Sequence, residues 1–412
     1  MRTNRLFSKL TCAAVRYAGF AVWAGALAAA SAWAQPNAWP AEPVAQPEAG
    51  RPLILRAGLQ WQRDSNVLRT ASSPLSDQIG VYSAGLAFDQ TYSRQRVEID
   101  AQVDAYRYQS TSSLDFDALN YRAAWHWGLG PDWSGRLAAE RRQWVDRLGD
   151  SIASSGLVRR TEALLSLELK RQLGASWQAL GGLFERRQNN TDPLGQEPDS
   201  RVSGAEIGLL YQLPSDNNLA YRFRQGQGRY SQAIQPGAPG DFTEREHALD
   251  WNWAGSGRLR LQGQLAYLDR LHDTRPDRDW SGWAARVGGQ WDLTGKTMLG
   301  AGLVRELGTY QTAQASYFEG YRVYLAPQWQ AAPKTLLRLR VEEGERSYKG
   351  APAGATSPGR RDRLHGLALE LQWQALRALR LGLSAQRDER RSNQAGLNYR
   401  AHLFTVSAQA AF

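Results

Sequence analysis

The sequence predicts an all-β fold: a transmembrane antiparallel β-barrel of about eighteen strands, with sixteen also compatible. Three observations lead there. The chain ends on a strictly alternating stretch, short turns alternate with long polar loops throughout, and tryptophans gather beside the short turns. In Leu397 to Phe412, the residues Phe404, Val406, Ala408, Ala410 and Phe412 share one face, and Thr405, Ser407 and Gln409 share the other. Successive side chains of a strand point to opposite faces, so one face suits hydrocarbon and the other water. A strand that ends the chain finds its neighbours earlier, and in a closed barrel the last strand pairs with the first.

The N-terminus is basic (Arg2, Arg5, Lys9, Arg16), then Ala-rich and apolar from Ala18 to Ala30, then Ala32-Trp33-Ala34. These are the three parts of a secretory signal peptide, expected over residues 1–34; a single membrane anchor is the alternative. Residues 35–52 are Pro/Ala/Gln-rich and are expected to form a flexible periplasmic lead-in, with the barrel over 53–412. The one cysteine, Cys12, precedes the apolar run, so a cleaved chain would carry no disulfide or thiolate metal site. With 50 Lys+Arg against 40 Asp+Glu the formal charge is +10, and nearly all of the positive charge is arginine. Such a balance suits nucleic acid, anionic lipid or an anionic polymer. Export to the envelope argues against the first, and no nucleic-acid partner is expected. After the leader, no stretch reaches the roughly eighteen apolar residues of a membrane helix.

From Leu53 onward the chain repeats strand, tight turn, strand, longer loop. Val97, Ile99, Ala101 and Val103 alternate with Glu98, Asp100, Gln102 and Asp104; Leu337, Leu339 and Val341 with Arg338, Arg340 and Glu342; Leu367, Leu369, Leu371 and Trp373 with Ala368, Glu370 and Gln372. Short connections are expected at 91–94, 130–132, 174–176, 214–217, 255–257, 294–296, 332–334 and 375–377, and long ones at, for example, 64–77, 189–200, 231–241 and 349–361. Short turns on one side and long loops on the other put the turns and both termini in the periplasm. Arg159 to Leu173 and Leu364 to Leu383 use good helix formers, but their leucines alternate, and both are expected to be strands.

Trp125, Trp127, Trp251, Trp253, Trp291, Trp329 and Trp373 come just before short turns, and Trp133 and Trp177 just after, as an interfacial girdle requires. At the other end, the lipid-facing register runs out to Arg63, Arg107, Arg141, Arg187, Arg305 and Arg387. Guanidinium groups there are placed for lipopolysaccharide phosphates in the outer leaflet, or else already stand in solvent.

His126, His247, His272, His365 and His402 are isolated, with no H-E-x-x-H spacing for a metal and no G-x-S-x-G elbow in the chain. No enzyme activity, metal or cofactor is therefore expected. The inward parity instead collects Arg122, Arg136, Arg222, Arg224, Arg258, Arg260, Arg286, Arg322, Arg338, Arg340 and Arg380 with Tyr106, Tyr108 and Tyr324. Glu98, Asp100, Asp104, Glu140, Glu168, Glu206, Asp250, Glu342 and Glu370 share that face. Most of the charge is expected to pair across strands, and the unpaired remainder to set selectivity. Weak, repeated arginine and tyrosine contacts suit a hydrated acidic sugar chain better than a neutral solute.

AGLQWQRDSNVLR (57–69), SAGLAFDQTYSRQRVEIDAQVDAYRY (83–108) and FDALNYRAAWHWGLGPDWSGRLAAERRQ (116–143) resemble the EpsL-type proteins of exopolysaccharide loci in Gram-negative bacteria. The resemblance implies an integral barrel of the cell outer membrane serving extracellular polysaccharide biosynthesis or export, in loci often associated with an exosortase. It implies periplasmic and inner-membrane export components as partners. The last strand likewise resembles those whose terminal Phe is read by the barrel insertion machinery. The open alternatives are a general anion-favouring porin, a barrel hydrolase and a non-transporting scaffold of the secretion complex.

Overall fold

The structure, a computed structural model, describes residues 52–146, 158–191, 199–213, 217–230, 241–255, 257–310, 315–351 and 359–412. The expected signal peptide and all but the last residue of the lead-in lie outside the described residues, as do most of the turn at 214–217 and the loop at 231–241.

Among the described residues the chain forms eighteen strands. They are β1 (Leu53–Asp64), β2 (Asp77–Tyr92), β3 (Gln95–Tyr108), β4 (Phe116–Leu129), β5 (Trp133–Asp146), β6 (Val158–Gln172), β7 (Trp177–Asn190), β8 (Ser200–Gln212) and β9 (Asn218–Tyr230). Then follow β10 (Asp241–Ala254), β11 (Leu259–His272), β12 (Trp280–Asp292), β13 (Thr297–Thr309), β14 (Tyr317–Ala332), β15 (Thr335–Lys349), β16 (Arg361–Leu376), β17 (Leu379–Ser392) and β18 (Tyr399–Ala411). Each strand pairs antiparallel with its sequence neighbours, and β1 pairs with β18 from Arg56↔Ala411 to Asp64↔Leu403. The ring is closed. Phe412 completes the seam, donating its N–H to Leu55 (2.9 Å) and accepting from the Leu55 N–H (3.0 Å).

The expected short connections fall at joints between consecutive strands, with 91–92, 332 and 375–376 taken up by the ends of β2, β14 and β16, and both the start of β1 and the end of β18 stand on that side. The helix-prone segments are β6 and the β16–β17 hairpin. Their alternating leucines face outward, and Leu165, Leu369 and Leu383 are all exposed. Propensity yields here because a strand in this ring has two partners for its backbone and hydrocarbon for every second side chain.

The outer face is apolar across the middle of every strand. Leu59, Val103, Leu183, Ile207, Leu303, Leu325, Leu367 and Val406 are all exposed, which in water would be a large uncovered surface. Trp125, Trp133, Trp177, Trp253, Trp291, Trp329 and Trp373 are exposed beside the short turns. Trp251 instead lies flat over Gly263, where a Cβ would come 2.0 Å from its ring, so the wall accepts the indole only because that position is glycine. A closed, even-stranded barrel with this exterior is an integral outer-membrane protein.

The wall is not uniform. β4 pairs with β5 only as far as Tyr121↔Arg141, although both strands continue toward the loops. Beyond that point the described ends of β5 and β6 lean in over the bore. Val145 packs with Ile79, Tyr108 and Phe116, and Arg159 stands 5.8 Å from the Phe116 ring. The β1–β2 connection also folds inward, with Val67, Leu68 and Leu75 joining the same apolar cluster.

The alternation predicts opposite responses on one strand. Leu369→Arg places a guanidinium in lipid and is expected to cost about 2–4 kcal/mol, while Gln372→Arg on the inner face costs under about 1 kcal/mol. Urea unfolding in lipid vesicles, followed by Trp fluorescence, checks this.

Candidate functional site: the bore

Because β4, β5 and their neighbours present every second residue inward, the bore is lined by whatever occupies those positions. Its charge falls into tiers. In the half nearer the short turns, Arg222 reaches Asp250 at 3.2 Å, Glu168 at 3.6 Å and Glu206 at 3.9 Å. Arg224 bridges Glu206 (2.7 Å) and Glu246 (3.1 Å). These groups border a cavity of about 440 Å³, whose wall also holds Arg136, Lys170, Gln178 and Gln212. On the opposite wall Glu342 takes Arg322 (3.3 Å) and Arg340 (2.7 Å), and the Arg340 guanidinium lies 4.2 Å from the Tyr324 ring centroid. Tyr324 in turn lies against Gly302, where a Cβ would meet the ring at 2.5 Å.

Nearer the loops the bore is packed. Arg270 sits between the rings of Phe242 (4.3 Å) and Trp280 (5.1 Å) and pairs with Glu244, which also holds Arg186 at 3.0 Å. Arg69, in the inward β1–β2 loop, pairs with Asp64 at 2.8 Å, and Arg390 donates to the Leu397 carbonyl at 2.6 Å. Desolvated guanidinium groups need such partners, since an unpaired charge in this environment is costly.

Seven of the eleven inward arginines expected from the sequence have a carboxylate within 4 Å: Arg122, Arg222, Arg224, Arg260, Arg322, Arg338 and Arg340. Arg380 lies 3.5 Å from Gln374. Arg136 and Arg286 face inward, and among the described residues neither has a carboxylate at ion-pair distance. Arg286 is exposed to the bore, within electrostatic reach of Arg322 and Glu306 and, less strongly, of Arg142 on β5. Arg142 continues the parity of Arg136 and Glu140, and that spacing was the signal for it in the sequence. Arg122, on the adjoining strand, is also exposed, 3.1 Å from Glu140. Arg122 on β4, Arg142 on β5 and Arg286 on β12 are thus cations exposed to the bore, with Glu140 beside Arg122 and Glu306 acting on Arg286.

Several expected site residues lie elsewhere. Arg258 is in the turn before β11, exposed at the periplasmic rim, because β11 starts one residue later than its alternation implies. Tyr108 is 7 % exposed within the apolar cluster, and Tyr106 stacks on Phe116 at 4.4 Å; both are covered by the inward loop and the end of β5. Arg338, 2 % exposed at its side chain, is closed off behind Glu370 and Gln328.

Of the outward arginines, Arg63 is exposed, Arg107 pairs with Asp117 (2.8 Å), Arg187 with Glu185 (2.6 Å), and Arg387 with Glu389 (2.9 Å). Arg305 lies 3.8 Å from Glu319 and stacks against Tyr321. Arg141 is diverted: it donates to the Leu119 carbonyl and to Gln143 (3.2 Å), at the place where β5 leaves β4 and the ladder no longer satisfies that carbonyl.

Two substitutions separate the paired from the unpaired arginines. Arg222→Gln takes the ion pair from Asp250 and weakens the shared ones of Glu168 and Glu206, and is expected to cost about 1–3 kcal/mol in urea unfolding, whereas Arg286→Gln changes stability by less than about 0.5 kcal/mol.

No protein-family model matches the chain, and no curated protein matches its sequence. Solved structures are similar at low identity. The outer membrane protein OpdK of Pseudomonas aeruginosa is 12 % identical over 87 % of this chain and 98 % of its own, with a TM-score of 0.47. OpdO of the same organism is 13 % identical over 87 % and 97 %, with a TM-score of 0.49. OccAB4 of Acinetobacter baumannii is 13 % identical over 90 % and 100 %, with a TM-score of 0.47. Likeness at this level transfers no residue role, and the architecture of the chain rests on the strand pairing described above.

Proposed function

We propose that the protein is an outer-membrane conduit for an anionic extracellular polysaccharide, acting with separate periplasmic and inner-membrane export components. The observation that carries this reading is the set of Arg122, Arg142 and Arg286, all exposed to the bore, with Arg142 and Arg286 lacking an ion-pair partner among the described residues. Elsewhere in the bore positive charge is largely cancelled by carboxylates, so an entering chain meets unneutralised positive charge at these side chains. A polymer must bind weakly and repeatedly in order to move, and solvated guanidinium groups offer carboxylates such contacts. The resemblance of residues 57–143 to EpsL-type proteins supports a polysaccharide as the cargo in preference to a small anion.

Deleting the gene is expected to abolish surface polymer and leave uptake of small solutes intact. In planar bilayers the wild-type barrel is expected to favour anions, and Arg122→Gln/Arg142→Gln/Arg286→Gln to lose most of that preference without loss of folding. Normal surface polymer in the deletion strain together with slowed uptake of small anions would identify a general porin. Equal cation and anion permeability in the wild type would remove the basis for this reading.

A further inference from the structure

The outer wall of β16 to β18 concentrates positive charge above the apolar belt, flanked on β15 by Glu345 and by Glu343, which lies 2.8 Å from His365. On β16 the outward series Trp373, Leu371, Leu369, Leu367 is followed by His365, Arg363 and Arg361; on β18 Val406 and Phe404 are followed by His402 and Arg400; on β17 Leu383 and Ala385 are followed by Arg387, Glu389 and Arg391. Five arginines converge on two carboxylates. Glu389 is reached by Arg391 (2.7 Å), Arg387 (2.9 Å) and Arg400 (3.4 Å), and Glu345 by Arg361 (3.4 Å) and Arg363 (3.9 Å). Arg363 and Arg391 stand directly opposite in register, where like charges repel. The guanidinium groups nevertheless remain open, with side-chain exposures of 47 % to 69 %. By contrast Arg107, at the same level on β3, has one aspartate to itself.

We propose that this sector is a binding site for the phosphorylated lipid A headgroup of lipopolysaccharide in the outer leaflet. Its guanidinium forks are preordered by Glu389 and Glu345, and two phosphates one sugar-pair apart would relieve the Arg363/Arg391 repulsion. The position fixes the source of the phosphate. A headgroup whose acyl chains lie against Leu367, Phe404 and Leu383 presents its phosphates past the belt, toward Arg363, Arg400 and Arg387 four residues further along the strands, whereas free phosphate would gain nothing from the belt. The inference is independent of what the bore conducts.

The test uses the full barrel in detergent with EDTA, titrated with lipopolysaccharide, with its monophosphoryl form and with inorganic phosphate, and reads the heat-unfolding midpoint and bound lipid. Lipopolysaccharide is expected to raise the midpoint and the monophosphoryl form to do so less. Arg363→Gln/Arg391→Gln/Arg400→Gln is expected to weaken binding by about tenfold or more, while Arg229→Gln, at the loop end of β9 where the side chain pairs with Asp241, leaves it unchanged. Without lipid the triple variant is expected to unfold at the wild-type temperature or above, because the opposed charges are gone; should it fail to fold, Arg363→Gln alone carries the same comparison. Binding within twofold of wild type in the folded variant, or equal stabilisation by inorganic phosphate or by the monophosphoryl form, would overturn the assignment.

Discussion

Hydrocarbon offers no hydrogen bonds, so each backbone N–H and C=O within it must be satisfied by the chain itself. That constraint accounts for most of this molecule. A flat sheet of these strands would leave two edges unpaired in lipid; bringing Arg56–Asp64 against Leu403–Ala411 removes both. The seam runs to the last residue, where Leu55 and Phe412 exchange a pair of hydrogen bonds, so the terminal aromatic is part of the closure. One place where the ladder opens is between β4 and β5, and there side chains take over: Arg141 turns to the Leu119 carbonyl, and the Asn120 side chain accepts from the Gln143 N–H at 2.7 Å.

Closure divides the side chains into two populations with different physics. Outward residues need only be apolar, and glycine appears among them where an indole must lie flat, as at Gly263 under Trp251. Inward residues must keep charge in a narrow space, and the solution is multiple pairing, with Arg222 shared among three carboxylates and Glu244 between Arg186 and Arg270. Such shared pairs hold the wall rigid, since shifting one strand would strand several charges. Against that neutralised background, a few solvated arginines dominate the field an entering anion meets.

Much of this was legible in the sequence because a barrel strand states its environment in every residue. Leu165, Leu167 and Leu169 outweighed the helix propensity around them, and the turn positions followed from runs such as Gly130-Pro131-Asp132. What parity could not show was which inward positions stay open. Tyr106 and Tyr108 have the right phase, yet the end of β5 and the loop carrying Val67 and Leu75 come back over them. Those apolar loop residues hinted that the loop was not simply solvated, but where it folds depends on contacts distant in the chain. Arg258 was misplaced for a smaller reason: alternation does not say at which residue a strand begins, and here the turn keeps it. The outward arginines had the right face, but sequence gave no way to see that Arg141 would be needed by the backbone or that Arg363, Arg391 and Arg400 would cluster.

The central claim is an alternation around a closed, water-filled ring, and a cysteine scan along β12 tests it most directly, on a chain with Cys12 replaced so that no other thiol is present. With the barrel in vesicles, a membrane-impermeant charged maleimide is expected to label cysteines at 284, 286, 288 and 290. A lipid-dissolved reagent is expected to label those at 283, 285, 287 and 291. Labelling that follows depth without alternating, or water access on the outward set, would contradict the account.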